Sequence, residues 1–248
     1  MNACVGFIYP DHAAESDYPL AAKLLGANLV VVHVYGTDLH AVAELRDLGS
    51  PAKLAEGAEL LRPHRPAAVM FACTSGGFVY GPDGAADQID GLAAFAGVPA
   101  SSTSFAFVHA LAALRCSRVA VAASYPRDIA ELFVNFLAAH GISVESMGNA
   151  GIETAAEVGR LTAEQVQALA LANDNPNADA LLIPDTAMHT VAQVDELEQL
   201  LGKPVLTANA VTVWEGMRIA GIPRRVTGLG RLFTSNGEDV GEAGDRAR

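Results

Sequence analysis

The chain has 248 residues, 51% of them hydrophobic and 18% charged, with a formal net charge of −12. It is long enough to bury one large α/β core or two small ones, and too acidic to offer phosphate backbones or anionic membranes a basic surface, so neither nucleic acid nor membrane is an expected partner. The opening "MNACVGFIYP" has neither a basic region nor a long apolar one, no apolar run approaches the roughly 18 to 20 residues of a membrane span, and three scattered cysteines make no disulfide framework, so a cytoplasmic protein is expected.

In chain order, short aliphatic runs at 5–9, 29–34, 67–72, 118–123, 142–147, 180–183 and 204–207 alternate with longer stretches of helical periodicity. In one of these, 128–140, Ile129, Leu132, Phe133, Phe136 and Leu137 recur at helical spacing. Alternation of this kind predicts βαβ units and mainly parallel sheets. Gly141 and Gly202 follow helical stretches where a left-handed terminal residue is expected. The last segment, 237–248, is polar and glycine-rich and reads as a disordered tail.

The two halves resemble each other. "VGFIYPD" from Val5 parallels "VAASYPRD" from Val121, and "GVPASSTSFAFVHAL" from Gly97 parallels "GKPVLTANAVTVWEGM" from Gly202. Between them "PAAVMFACTS" occupies the place of "ADALLIPDTA", which sets Cys73 opposite Asp185. The predicted fold is therefore two pseudosymmetric Rossmann-like lobes: 1–115, with room for an exchange of its C-terminal segment, and 116–236. Ligands of open α/β sheets collect outside the carboxyl ends of the strands, and both Cys73 and Asp185 occupy such ends, so an active site in the interlobe cleft is expected. Taken singly, Cys73 could be packing and Asp185 a helix N-cap; their equivalence in a duplicated chain is what singles them out.

The "FIYP", "CTSG", "AASYPRD" and "GLGRLF" segments resemble the Asp/Glu racemase superfamily, within it the maleate isomerase and arylmalonate decarboxylase branch. That resemblance implies an enzyme without cofactor that acts on a small carboxylic acid and assembles as a homodimer or larger homo-oligomer. It implies Cys73 as nucleophile or proton carrier, Thr74 and Ser75 as carboxylate holders and Tyr125 as the tyrosine closing over the same group. The family's second cysteine is replaced by Asp185, followed by Thr186, and the first loop carries Asp11 and His12. A helix N-terminus beside Cys73 is expected to lower its pKa. The three chemistries left open are isomerisation, racemisation and decarboxylation of a malonate-like acid; a catalytically silent carboxylate-binding paralogue is the reading from another class. No G-x-G-x-x-G follows a strand, and His12, His189, Asp11 and Asp185 match no ligand spacing, so neither a nicotinamide nor a metal is expected.

Overall fold

A computed structural model describes residues 4–234, so the expected tail at 237–248 lies outside the described residues. The first half runs β1 (Cys4–Pro10), α1 (Asp17–Leu25), β2 (Asn28–Val34), α2 (Val42–Leu48), α3 (Pro51–Leu61), β3 (Ala68–Phe71), α4 (Ser75–Phe78), α5 (Gly81–Ala96), β4 (Ala100–Ser102) and α6 (Thr103–Leu114). The second runs β5 (Arg118–Ala123), α7 (Arg127–Ala139), β6 (Ser143–Asn149), α8 (Ala155–Val158), α9 (Ala163–Asn173), β7 (Ala180–Ile183), α10 (Val194–Leu201), β8 (Val205–Thr207) and α11 (Ala208–Ile219).

The strands form two four-stranded sheets, parallel throughout, in the orders β2-β1-β3-β4 and β6-β5-β7-β8. The two orders are the same permutation, which is the structural form of the repeat read from the sequence. Strands β3 and β7 are buried along their whole length, as central strands covered by helices on both faces must be. The helix ends follow local chemistry. A reciprocal capping box between Thr162 and Gln165 starts α9, and Gly141 and Gly202 take left-handed φ values of 76° and 71° where α7 and α10 stop. Strand β4 was not among the predicted runs, because its three residues, Ala100, Ser101 and Ser102, carry no aliphatic signal and are held by pairing with β3.

One helix crosses between the halves. Helix α11 follows β8 of the second sheet, yet it packs on α6 and against β1, β3 and β4 of the first. The approach is close at Gly216, where a Cβ would lie 2.7 Å from Val5 Cγ1 and 3.0 Å from Met70 Cγ. Val5, Phe7 and Met70 thereby join Val119, Val121, Phe133 and Val211 in one continuous apolar cluster. At about 25 cal/mol per Å² of apolar surface removed from water, each fully buried Phe or Val in it stabilises the fold by roughly 1.5–3 kcal/mol before entropy is counted. No described helix is long and apolar enough to cross a membrane.

Candidate active site

Strands β3 and β7 occupy equivalent places in their sheets, and the chain leaves each in the same way. Cys73 lies two residues beyond Phe71, the last of β3, and Asp185 two residues beyond Ile183, the last of β7. Both line one small cavity of about 50 Å³, together with Tyr9, Asp11, Asp38, His40, Ser75 and Thr186. Thiol and carboxylate are almost fully buried, at 4% and 3% exposure.

The Cys73 sulfur accepts the Gly76 N–H at 3.3 Å and lies 3.8 Å from the Ser75 hydroxyl. The expected fall in its pKa does not occur. Burial pushes the thiol up to about 11, the nearby Asp185 charge adds to the rise, and the hydrogen bonds from Gly76 and Ser75 offset only part of it. Four residues of helix in α4 give too little dipole to win against desolvation.

Asp185 is a turn cap rather than a helix cap. Its Oδ1 accepts the Ala187 N–H at 2.9 Å and its Oδ2 accepts the Ser124 hydroxyl, while the next helix, α10, begins only at Val194. His40 Nε2 stands 3.8 Å from Oδ2. The other ring nitrogen, Nδ1, lies 3.0 Å from the Ile152 carbonyl, which can only accept, so Nδ1 carries a proton and Nε2 is the atom turned towards the carboxylate. This histidine was not found by sequence reasoning. It sits in no motif, in an irregular segment between β2 and α2, and reaches Asp185 only because that segment is strapped to the other half of the molecule.

The remaining predicted residues divide. Ser75, Thr186 and Asp11 line the cavity. Asp11 holds a left-handed φ of 53°, and its N–H bonds to the Val34 carbonyl at 3.0 Å. Thr74 and Tyr125 stand behind the wall rather than on it. The Thr74 hydroxyl is buried without a well-formed hydrogen bond, and Tyr125, fully buried, donates to the Pro184 carbonyl at 2.7 Å. Its phenol pKa is driven well above the usual value by burial. The tyrosine that does line the cavity is Tyr9, the Tyr125 counterpart in the repeat. Its hydroxyl donates to the Thr186 carbonyl at 2.7 Å and accepts the Ala14 N–H at 2.9 Å, joining the halves at the cavity wall.

Comparison with known proteins converges on one family. The family model for arylmalonate decarboxylase matches residues 5–233. A maleate isomerase of Nocardia farcinica is 31% identical over 176 residues, 68% of this chain and 69% of the relative. An arylmalonate decarboxylase of Bordetella bronchiseptica is 31% identical over 141 residues, 55% of this chain and 58% of the relative, so the match spans less than two thirds of that protein's length. Among solved structures, a cysteine-to-serine mutant of the Nocardia farcinica maleate cis-trans isomerase, with a covalently bound succinylcysteine intermediate, superposes with a TM-score of 0.84 at 24% identity, covering 93% of this chain and 98% of that one. Because the family match runs through both sheets and both strand ends that carry Cys73 and Asp185, the chain belongs to the arylmalonate decarboxylase family.

Proposed function

We propose that this protein is a cofactor-independent isomerase or racemase of a small carboxylic acid, in which Cys73 and Asp185 exchange protons with opposite faces of one carbon. The observation that carries this reading is the arrival of a thiol and a carboxylate, one from each half of the chain, on the walls of a single small cavity. Asp185 takes the proton from the carbon beside the substrate carboxylate, and the C–H electron pair moves into that carboxylate to give an enediolate. The Cys73 thiol then gives its proton to the opposite face. The product has inverted configuration, Asp185 is left protonated and Cys73 a thiolate, and the reverse reaction starts from those states. Ser75 and Thr186 on the cavity wall supply hydroxyls and N–H groups for the substrate carboxylate. His40, beside Asp185, is a positioning residue that steadies the carboxylate as its charge changes.

Two features narrow the chemistry. A thiol with a pKa of about 11 holds on the order of one part in ten thousand as thiolate at pH 7, so it serves better as a proton carrier than as a nucleophile adding to an alkene. The succinylcysteine of the Nocardia isomerase would require the scarcer form. The cavity lining, as described, contains Asp11, Asp38 and Asp185 but no lysine or arginine, which favours a monocarboxylate, including one that carries an ammonium group, over a dianion.

The protonated thiol also favours a second reading, decarboxylation of a malonate-like acid. There the C–C electron pair left by CO₂ forms the same enediolate, and Cys73 protonates it. Incubating the protein in D₂O with a panel of α-substituted acids, amino acids, maleate and aryl malonates, followed by NMR and CO₂ detection, separates the readings. The expected result is inversion with deuterium at the α-carbon and no CO₂, the inversion being lost in Cys73→Ala. Release of CO₂ moves the assignment to the decarboxylase. Saturable binding with no turnover of any member overturns both and leaves a carboxylate-binding paralogue.

A further inference from the structure

Outside the cavity, His12, Glu15 and His33 each bring one ligand atom within 4.8 Å of the others, the group of this kind found among the described residues. His12 and Glu15 belong to the loop between β1 and α1, whereas His33 comes from β2 and is set beside them by strand register, since it pairs with Tyr9. The outer nitrogen of His33, Nδ1, lies 2.5 Å from the Asp11 carbonyl. A carbonyl accepts only, so Nδ1 carries the proton and Nε2 presents its lone pair to Glu15 Oε2, 3.3 Å away. His12 Nε2 lies 3.1 Å from the Tyr35 hydroxyl, which can accept a proton from it or donate one to it, and His12 Nδ1 hydrogen-bonds the same Glu15 oxygen at 2.5 Å. A proton shared between His12 Nδ1 and Glu15 satisfies that pair as it stands, and a cation that displaced this proton would meet two ring lone pairs and a carboxylate oxygen converging on one point. The outer hydrogen bonds that orient both rings are the kind that orient metal-bound histidines.

We propose that His12, Glu15 and His33 form a binding site for a divalent transition metal of the zinc class, with solvent completing the coordination. Two imidazoles and a carboxylate suit such an ion. Ligand atoms around tetrahedral zinc stand roughly 3.3 Å apart, given bonds of about 2.0–2.1 Å. The His33–Glu15 spacing already meets this, and His12 needs to withdraw by less than about 1 Å, which a half-exposed side chain on a loop allows. The site borders the cavity: the Asp11 carbonyl holds His33, while Asp11 itself is part of the cavity lining. Its readout is metal binding, and it stands or falls independently of the reaction proposed above.

The test is calorimetric titration of tag-free, metal-stripped protein with Zn²⁺, joined to visible spectra with Co²⁺. The proposal expects saturation at one ion per chain and nitrogen–oxygen ligand-field bands without thiolate charge transfer. It also expects at least a roughly 10-fold loss of affinity in both His33→Ala and the more exposed His12→Ala, each checked for folding by circular dichroism. Cys73→Ala should bind Zn²⁺ as the parent does. Absence of saturable binding, a thiolate band, or full affinity in folded His33→Ala and His12→Ala overturns it.

Discussion

At Cys73, desolvation outweighs the hydrogen bonds that would favour a thiolate, and the consequences are measurable. If the thiol is the proton carrier, Cys73→Ala lowers turnover roughly 10²- to 10⁴-fold while the fold survives, as steady-state kinetics and circular dichroism would register. The raised pKa also has a thermodynamic sign. The folded state binds a proton that the unfolded thiol releases near pH ~8.5, so the associated stability is complete below that pH and is lost as pH rises through about 11. Thermal melts of the parent should therefore fall more steeply between those limits than melts of Cys73→Ala; parallel curves would contradict the buried thiol. His40→Gln tests the positioning role. It should reduce kcat more than KM, with partial rescue in His40→Asn if the ring acts through a hydrogen bond, an effect that loss of packing alone would not produce.

Among the elements, the segment 36–41 between β2 and α2 and the crossing helix α11 do the most to hold the site. The segment forms the outer wall of the cavity through Gly36, Thr37, Asp38, Leu39 and His40. It is tied to the second half by the His40 N–H to the Glu153 carbonyl at 2.8 Å and by the Asp38 carboxylate accepting the Ala156 N–H at 3.1 Å. A cavity of about 50 Å³ holds only a few waters, and these two ties set the width of its mouth on this side. Asp38→Ala removes one tie, and hydrogen exchange should speed up at 36–41 and 152–156 while β3 and β7 keep their protection. On α11, Gly216→Val pushes side-chain atoms into Val5 and Met70, so urea unfolding should report a loss of about 1–3 kcal/mol, the cost of overpacking.

Across the whole molecule, the two sheets share one apolar cluster and a set of buried polar ties. Asp17 of α1 accepts the Thr190 and Val191 N–H groups at 3.0 and 3.3 Å and the Asn209 amide of α11 at 2.9 Å. On α11, Glu215 is fully buried, yet His109 of α6 at 2.7 Å and Arg218 together hold its carboxyl below its ordinary value despite the opposing effect of burial. Stability from Glu215 is therefore present above the unfolded carboxylate range near ~4.3 and is lost as pH falls through its lower folded value, so Glu215→Gln should blunt acid unfolding below that range. Because α11 carries the chain's one tryptophan, Trp214, its fluorescence and far-UV circular dichroism should report a single coincident transition. Two separated transitions would mean that the halves fold independently.

The alternation of strands and helices apart from β4, the duplication, and the equivalent placing of Cys73 and Asp185 at strand ends were legible in the sequence. They depend on hydrophobic periodicity and on which residue follows a buried strand, and both are local properties of the chain. Tertiary structure alone decided the rest. The Cys73 pKa reverses because burial is a property of everything packed around the sulfur. Tyr9 rather than Tyr125 reaches the cavity wall because the two copies pack differently. His40 meets Asp185, and His33 meets His12, only through a strap and a strand register that bring distant positions together. Solvation and long-range contact are set by the folded surroundings, and no window of neighbouring residues encodes them.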